Sequence, residues 1–389
     1  MPWRARSSMD ERLQFVCDYQ RQLFTMTELC ERYGVSRKTG YALIARYEAG
    51  GARGLTPCSS RPHRSPQATA APIVEAIVTE RRRHPSWGGK KIIRVLSERH
   101  REWGLPAVST ANDILKRHGL VEGRQRRRPV GHPGYQPRAA EGPNDIWTTD
   151  FKGQFRTANA HLCYPLTICD AFSRYLITCR GLLAPTTEAS IAVFARAFRD
   201  YGLPRVIRSD NGQPFAAPSL ARLSRLSVWW IRLGILPELI QPASPYQNGA
   251  HERMHRTLKA ETTRPPADDL AAQQRRFARF RRIYNDLRPH EALGQRRPQQ
   301  LYDRSPRSLP RRVPPVVYPG HYEIRRVDAA GTISWRSRAL LVSTVLHHEE
   351  IGLEPIDDGI WDLHFGPVRL GRFDERVHRV EPAGRWRRR

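Results

Sequence analysis

Between residues 145 and 155 the chain reads DIWTTDFKGQF, and there its character changes. Apolar and polar residues alternate as in a strand. Upstream the apolar spacing is helical; downstream strands and helices mix. Inside this strand Asp150 lies between aromatic neighbours, where a lone carboxylate is costly to bury without partners.

Working outward, residues 161–183, HLCYPLTICDAFSRYLITCRGLL, predict two strands turning at Asp170–Ser173. Residues 185–204, PTTEASIAVFARAFRDYGLP, predict a helix with a Thr cap, an apolar face of Ile191, Phe194, Ala195 and Phe198, and a stop at Gly202 and Pro204. RVIRSD, residues 205–210, is a short strand ending at Asp210 before an Asn-Gly turn. Three strands, a helix, a fourth strand and further helices describe an α/β domain over residues 144–305.

The N-terminal side is all-α. Residues 1–56 hold a helix containing Leu13, Phe15, Val16 and Tyr19, then a helix to Tyr33, a break at Gly34 and a helix capped by Ser36. This is a helix-turn-helix pattern, with Arg37 and Lys38 in the first turn of the second helix, where base or phosphate contacts lie. A plain helical hairpin with a solvated basic end reads the same way. Residues 70–122 repeat the architecture without repeating the sequence, with Ser109 or Thr110 as a cap. Residues 123–143 are a basic, Gly/Pro-rich linker whose arginines either lie on phosphates or are simply solvated. Residues 310–380 alternate again and predict a small all-β barrel, followed by the basic tail GRWRRR.

Composition narrows the partners. Lys and Arg number 65 against 38 acids, a net charge of +27, which opposes compaction unless a polyanion neutralises it. Double-stranded nucleic acid is the leading partner. No apolar run approaches a membrane span and the N-terminus lacks an apolar signal core, so a cytoplasmic, nucleoid-associated protein is expected, without a membrane partner. The six cysteines show neither a CxxC pair nor zinc-ligand spacing, and most are expected to be buried as small hydrophobes.

Three carboxylates have informative surroundings: Asp150 in its strand, Asp210 at a strand end, and Glu252 in the first turn of a helix entered through Gln-Asn-Gly. Each alone reads as a surface acid or a cap. Together, in a basic chain, they suit phosphodiester chemistry, in which two Mg²⁺ about 4 Å apart are held by carboxylate oxygens alone.

IWTTDFKG, TICDAFSRYLI, VIRSDNGQPF, PYQNGAHERMHRTLKAE and YNDLRPHEALG, in that order, resemble the integrase-core transposases of bacterial insertion sequences, relatives of retroviral integrase. The resemblance implies a ribonuclease-H-like core and a metal-binding triad of Asp150, Asp210 and Glu252. It also implies Mg²⁺ as cofactor, two ions with Mn²⁺ able to substitute, and homo-oligomers assembled on element ends and target DNA. An inactive DNA-binding regulator and a ribonuclease-H-type nuclease are the alternatives. Residues 211–251 separate the second and third acids, a longer gap than the family pattern has, and the extra length falls in residues 219–234, SLARLSRLSVWWIRLG. On the helix, Glu252, Arg256 and Lys259 share one stripe, while Ala250, Met254 and Leu258 lie opposite. Arg256 and Lys259 are thereby expected on DNA phosphates. His251, His255 and His290 are expected to be structural or phosphate-facing, and Trp229, Trp230 and Tyr246 to belong to the core.

Overall fold

The computed structural model describes residues 8–57, 68–121, 138–241 and 249–383, and the chain forms two compact units, 1–69 and 70–389. The Gln-Asn-Gly loop, Tyr246, Cys58, most of the linker and the basic tail lie outside the described residues.

The first unit is three helices: α1 (Ser8–Gln20), α2 (Met26–Arg32) and α3 (Arg37–Gly54). Thr25 and Glu28 form a capping box on α2, Gly34 turns the chain at φ +63°, and Ser36 caps α3. Phe15, Val16, Leu29, Cys30, Leu43, Ile44 and Leu55 fill the core. A Cβ on Gly40 would meet Cys30 Sγ at 2.7 Å, so glycine is what lets α3 lie this close to α2.

The second unit begins with another trio, α4 (Ala71–Arg83), α5 (Gly89–Arg99) and α6 (Val108–Arg117), packed around Ile77, Trp87, Ile92, Leu96, Ile114 and Leu115. Neither Ser109 nor Thr110 caps α6. The helix starts at Val108 after Ala107, whose backbone is extended and which offers no side-chain cap.

The sheet domain is built on β1 (Ile146–Phe151), β2 (Phe155–Arg156), β3 (Leu162–Asp170), β4 (Leu176–Leu182), β5 (Val206–Ser209) and β6 (Leu236–Leu239). β3 lies antiparallel between β1 and β4, whereas β5 and β6 continue from β1 in parallel, giving a mixed sheet. Register sets Asp150 opposite Thr167 and Trp147 opposite Asp170. Strand β6 goes unannounced by the sequence because it contains Pro237; it sits at the sheet edge, where a missing N–H is tolerated. Against one face pack α7 (Thr187–Tyr201) and α8 (Arg225–Arg232), through Phe194, Ala197, Phe198, Leu226 and Trp230. Ala197, rather than Ala195, is the buried alanine of α7. Against the other face pack α9 (Gly249–Thr262) and α10 (Leu270–Arg282), through Met254, Leu258, Phe277 and Phe280 over Cys163, Cys169 and Cys179.

The expected C-terminal barrel takes the form of two antiparallel sheets on one core. β7 (Glu323–Arg326), β10 (Glu350–Asp357), β11 (Ile360–Phe365), β12 (Val368–Asp374) and β13 (Arg379–Pro382) make an open five-stranded sheet with β7 and β13 as its edges. The ribbon of β8 (Thr332–Trp335) and β9 (Arg338–Leu341) packs against both edges, wrapping Ile351, Leu353, Leu363, Phe365 and Phe373 without a continuous hydrogen-bonded ring. The extra segment between the second and third acids contains α8, and α8 has two apolar faces. Leu226 and Trp230 belong to the sheet-domain core, while Val228 and Ile231 belong to the C-terminal core.

Candidate active site

The catalytic candidates come from three elements: Asp150 from β1, Asp210 from the end of β5, and Glu252 from the first turn of α9. Asp150 is mostly buried, and its carboxyl pKa is raised to about 7, first by burial and then by the negative charge of Asp210, with Glu252 adding a smaller push. Asp210 is also raised, by burial, although the Gly212 N–H donates to it. One of its oxygens, Oδ1, is buried with no hydrogen-bond partner among the described residues. Two desolvated carboxylates that feel each other, one with an orphaned oxygen, fit a hard divalent cation. The three are neighbours but do not yet close on one point: among the described residues no three Asp, Glu, His or Cys side chains form a ready metal cage.

Helix α9 divides as its periodicity predicts, with Met254 and Leu258 buried and Glu252, Arg256 and Lys259 exposed. His251 and His255 are more deeply placed than the sequence suggested, only 2% and 4% exposed. They pack edge to face at 4.6 Å behind Asp150. Thr167 Oγ1 lies 2.7 Å from Nε2 of each ring, and Thr148 Oγ1 lies 2.9 Å from His251 Nδ1. His255 Nδ1 is 3.6 Å from Asp150 Oδ2. Burial keeps both rings neutral, depressing His251 to about 3 and His255 to about 2. The partners are threonines on distant strands, which no local pattern could announce.

Lys152 is a further cleft residue that sequence reasoning passed over. It stands just past the end of β1, two positions beyond Asp150, and its charge favours ionised Asp150. The DFKG string carried that signal. Arg37 and Lys38 are exposed on the first turn of α3 in the separate N-terminal unit.

The RPHEAL segment has a structural task. His290 precedes a short 3₁₀ turn, its Nε2 lies 3.2 Å from Tyr284 O, and its ring packs against Tyr284. Around it the second helical trio is fastened: Lys91 Nζ donates to Pro289 O at 2.5 Å, Lys90 pairs with Glu291 at 2.5 Å, and Arg297 pairs with Glu98. Arg288 binds both Ser86 and Glu261, the latter on α9 itself. Trp230 is buried and Trp229 packs on the same core, as expected of them.

A family model described as Integrase core domain matches residues 140–245, and another of the same description matches residues 233–298. The chain thus carries an integrase core over residues 140–298 and resembles the transposases of insertion elements. A third model, described as the leucine-zipper of insertion element IS481, matches residues 4–83, whose described residues form α1 to α4. An IS476 protein of Xanthomonas euvesicatoria is 29% identical over 277 residues, 68% of each chain. Transposase InsD of IS2 from Escherichia coli is 25% identical over 228 residues, covering 56% of this chain and 73% of that one. Among solved structures, the HTLV-2 integrase catalytic core domain in complex with magnesium aligns at a TM-score of 0.34 and 18% identity, covering 43% of this chain and 100% of that one. A likeness that distant carries no argument, and the fold reading rests on the strand order and the two core matches.

Proposed function

We propose that this transposase cuts the 3′ ends of its element and joins them to target DNA, with Asp150, Asp210 and Glu252 as the metal-holding acids. The observation that carries the reading is the charge in the cleft: two buried, mutually repelling carboxylates with Asp210 Oδ1 unpartnered among the described residues, and a third acid within electrostatic reach. Mg²⁺ bound there, as two ions, supplies activation of the attacking oxygen and stabilisation of the leaving one. The protein's share is placement. The sheet fixes Asp150 and Asp210, α9 brings Glu252, and Arg256 and Lys259 on its exposed stripe neutralise the phosphates of the strand being cut.

In the same reading the N-terminal helices, with Arg37 and Lys38, grip the terminal inverted repeats, and the α4–α6 trio adds a second grip. Handling two ends together requires a homo-oligomer assembled on DNA, in the cytoplasm at the nucleoid. The deciding experiment joins oligonucleotides carrying the element's ends to a target plasmid with Mg²⁺ or Mn²⁺. Branched strand-transfer product from the natural chain, abolished in Asp210→Asn, is the expected result. Hydrolysis without joining identifies a nuclease, and end binding without either reaction identifies a regulator.

A further inference from the structure

Helix α10 carries five arginines and no acid. Its inward polar side chains are all engaged. Gln273 Nε2 donates to Thr262 O at 3.0 Å, Gln274 bridges Gly181 N and Cys179 O at 3.0 Å each, and Arg281 donates to Ile177 O at 2.7 Å. Arg276, on the flank, donates to Pro265 O at 2.6 Å. Arg275, Arg279 and Arg282 differ. Spaced i, i+4 and i+7, they form one exposed outward stripe, and none has a hydrogen bond or ion pair among the described residues. Other solvated helices of this chain pair opposite charges at i, i+4: Arg94 with Glu98 on α5 at 3.0 Å, and Arg196 with Asp200 on α7 at 3.6 Å. On α10 the same spacing sets Arg275 against Arg279, like against like, which weakens a helix unless an anion lies over it.

The stripe has telling neighbours. Along its length α10 packs on α9 through Phe277, Phe280, Met254 and Leu258, so its outward face lies one helix spacing, about 9 Å, from that of Arg256 and Lys259. At its end Arg282 is followed by Ile283, which packs on the core of the α4–α6 trio. From Arg275 to Arg282 the stripe covers about 10 Å, the rise of about three base pairs. We propose that Arg275, Arg279 and Arg282 form a phosphate rail that carries the duplex of the element's own end from the α4–α6 trio towards the cleft. Between the arginines this face exposes only Ala271 and Ala278, so its contacts are charge on phosphate, which fix position and read no sequence. The rail belongs to the element end and not to target DNA because it runs into the trio. The inference rests on the reading of this chain as one that joins DNA ends, with the trio as a grip on them.

The test binds the full chain to duplexes carrying the element's end over a range of salt. Arg275→Gln/Arg279→Gln/Arg282→Gln should reduce the log–log salt slope by about three, while thermal melting stays level or rises as the like charges are relieved. Ethylating single phosphates should interfere with binding of the natural chain at a short run between the cut end and the trio's footprint, and the variant should be insensitive there. An unchanged slope overturns the proposal, as does a natural chain with no such run, a result that needs no variant to fold. Arg196→Gln/Arg199→Gln on α7, over the opposite face of the sheet, should leave the slope alone; a comparable fall per charge there would mean bulk charge only and overturn the rail. A triple variant that keeps its slope on end duplexes but joins them poorly to plasmid would place the stripe on target DNA. One that changes oligomeric mass with the slope intact would place it between copies of the chain. Either result overturns the proposal. A natural chain that neither binds nor joins end duplexes overturns the functional reading together with the rail, whereas one that does both beside an unaltered variant overturns the rail alone.

Discussion

The central sheet carries a buried acid near each of two ends, and the two are treated in opposite ways. At one end Asp170 is fully buried and fully met. It accepts from Asn144 N at 2.8 Å, Ser173 N at 2.7 Å and Ser173 Oγ at 2.6 Å, while Asn144 Oδ1 in turn receives Trp147 and Tyr302. At the other end Asp150 and Asp210 repel each other, one Asp210 oxygen has no partner among the described residues, and the nearest imidazole lies beyond hydrogen-bond reach. Each of these two carboxylates is given a backbone N–H, from Phe151 and Gly212, where Asp170 is met by three donors. Fold and chemistry are separated by that contrast: the satisfied acid fixes a turn, and the unsatisfied pair is fitted for something added later.

The contrast can be broken by substitution. Asp210→Asn should lower the joining rate by about a thousandfold, the worth of several kcal/mol of charge stabilisation lost from the reacting phosphate, while thermal unfolding without metal stays level or rises. Asp170→Ala should do the reverse. It should cost about 3 kcal/mol of unfolding free energy, because the N–H groups of Asn144 and Ser173 lose their buried acceptor, and leave Mn²⁺ affinity unaltered in the folded fraction. Similar losses of stability from both substitutions would erase the distinction.

Acidity sharpens it further. The folded pKa of Asp150 is about 7, raised above that of an unfolded aspartate, so the folded chain holds the extra proton. Stability contributed by this group is therefore present at low pH and lost as pH rises through about 7. Melting in EDTA should show that fall, saturating Mg²⁺ should reverse it, and Asp150→Asn should flatten it. A metal-free melt that improves with pH over this range would contradict the assignment. The smallest effect belongs to the exposed stripe of α9: Arg256→Ala and Lys259→Ala should each lower the log–log salt slope of DNA binding by about one.

Much of this was legible in the sequence because it is local. The caps Thr186 and Ser36 and the turn at Gly34 depend on neighbours within a few residues, and they stand where the pattern puts them. What escaped depends on distant chain. His251 and His255 lie at the margin of the apolar stripe on a helical wheel; their burial requires Thr148 and Thr167 from two strands. Strand β6 hid behind Pro237, and α6 begins one residue before Ser109, at Val108, with no side-chain cap. The longer gap between Asp210 and Glu252 was visible as a length, but its use required both cores to be seen at once.

That use has a practical side. Because Val228 and Ile231 of α8 are covered by the C-terminal strands, the two domains share one partition. Cutting the chain after residue 310 to obtain a minimal catalytic fragment would uncover a greasy strip on the fragment's outer wall, running Leu223, Val228, Ile231. Such a fragment would self-associate through a surface that the C-terminal strands cover in the intact chain, and the aggregate would say nothing about how intact chains meet.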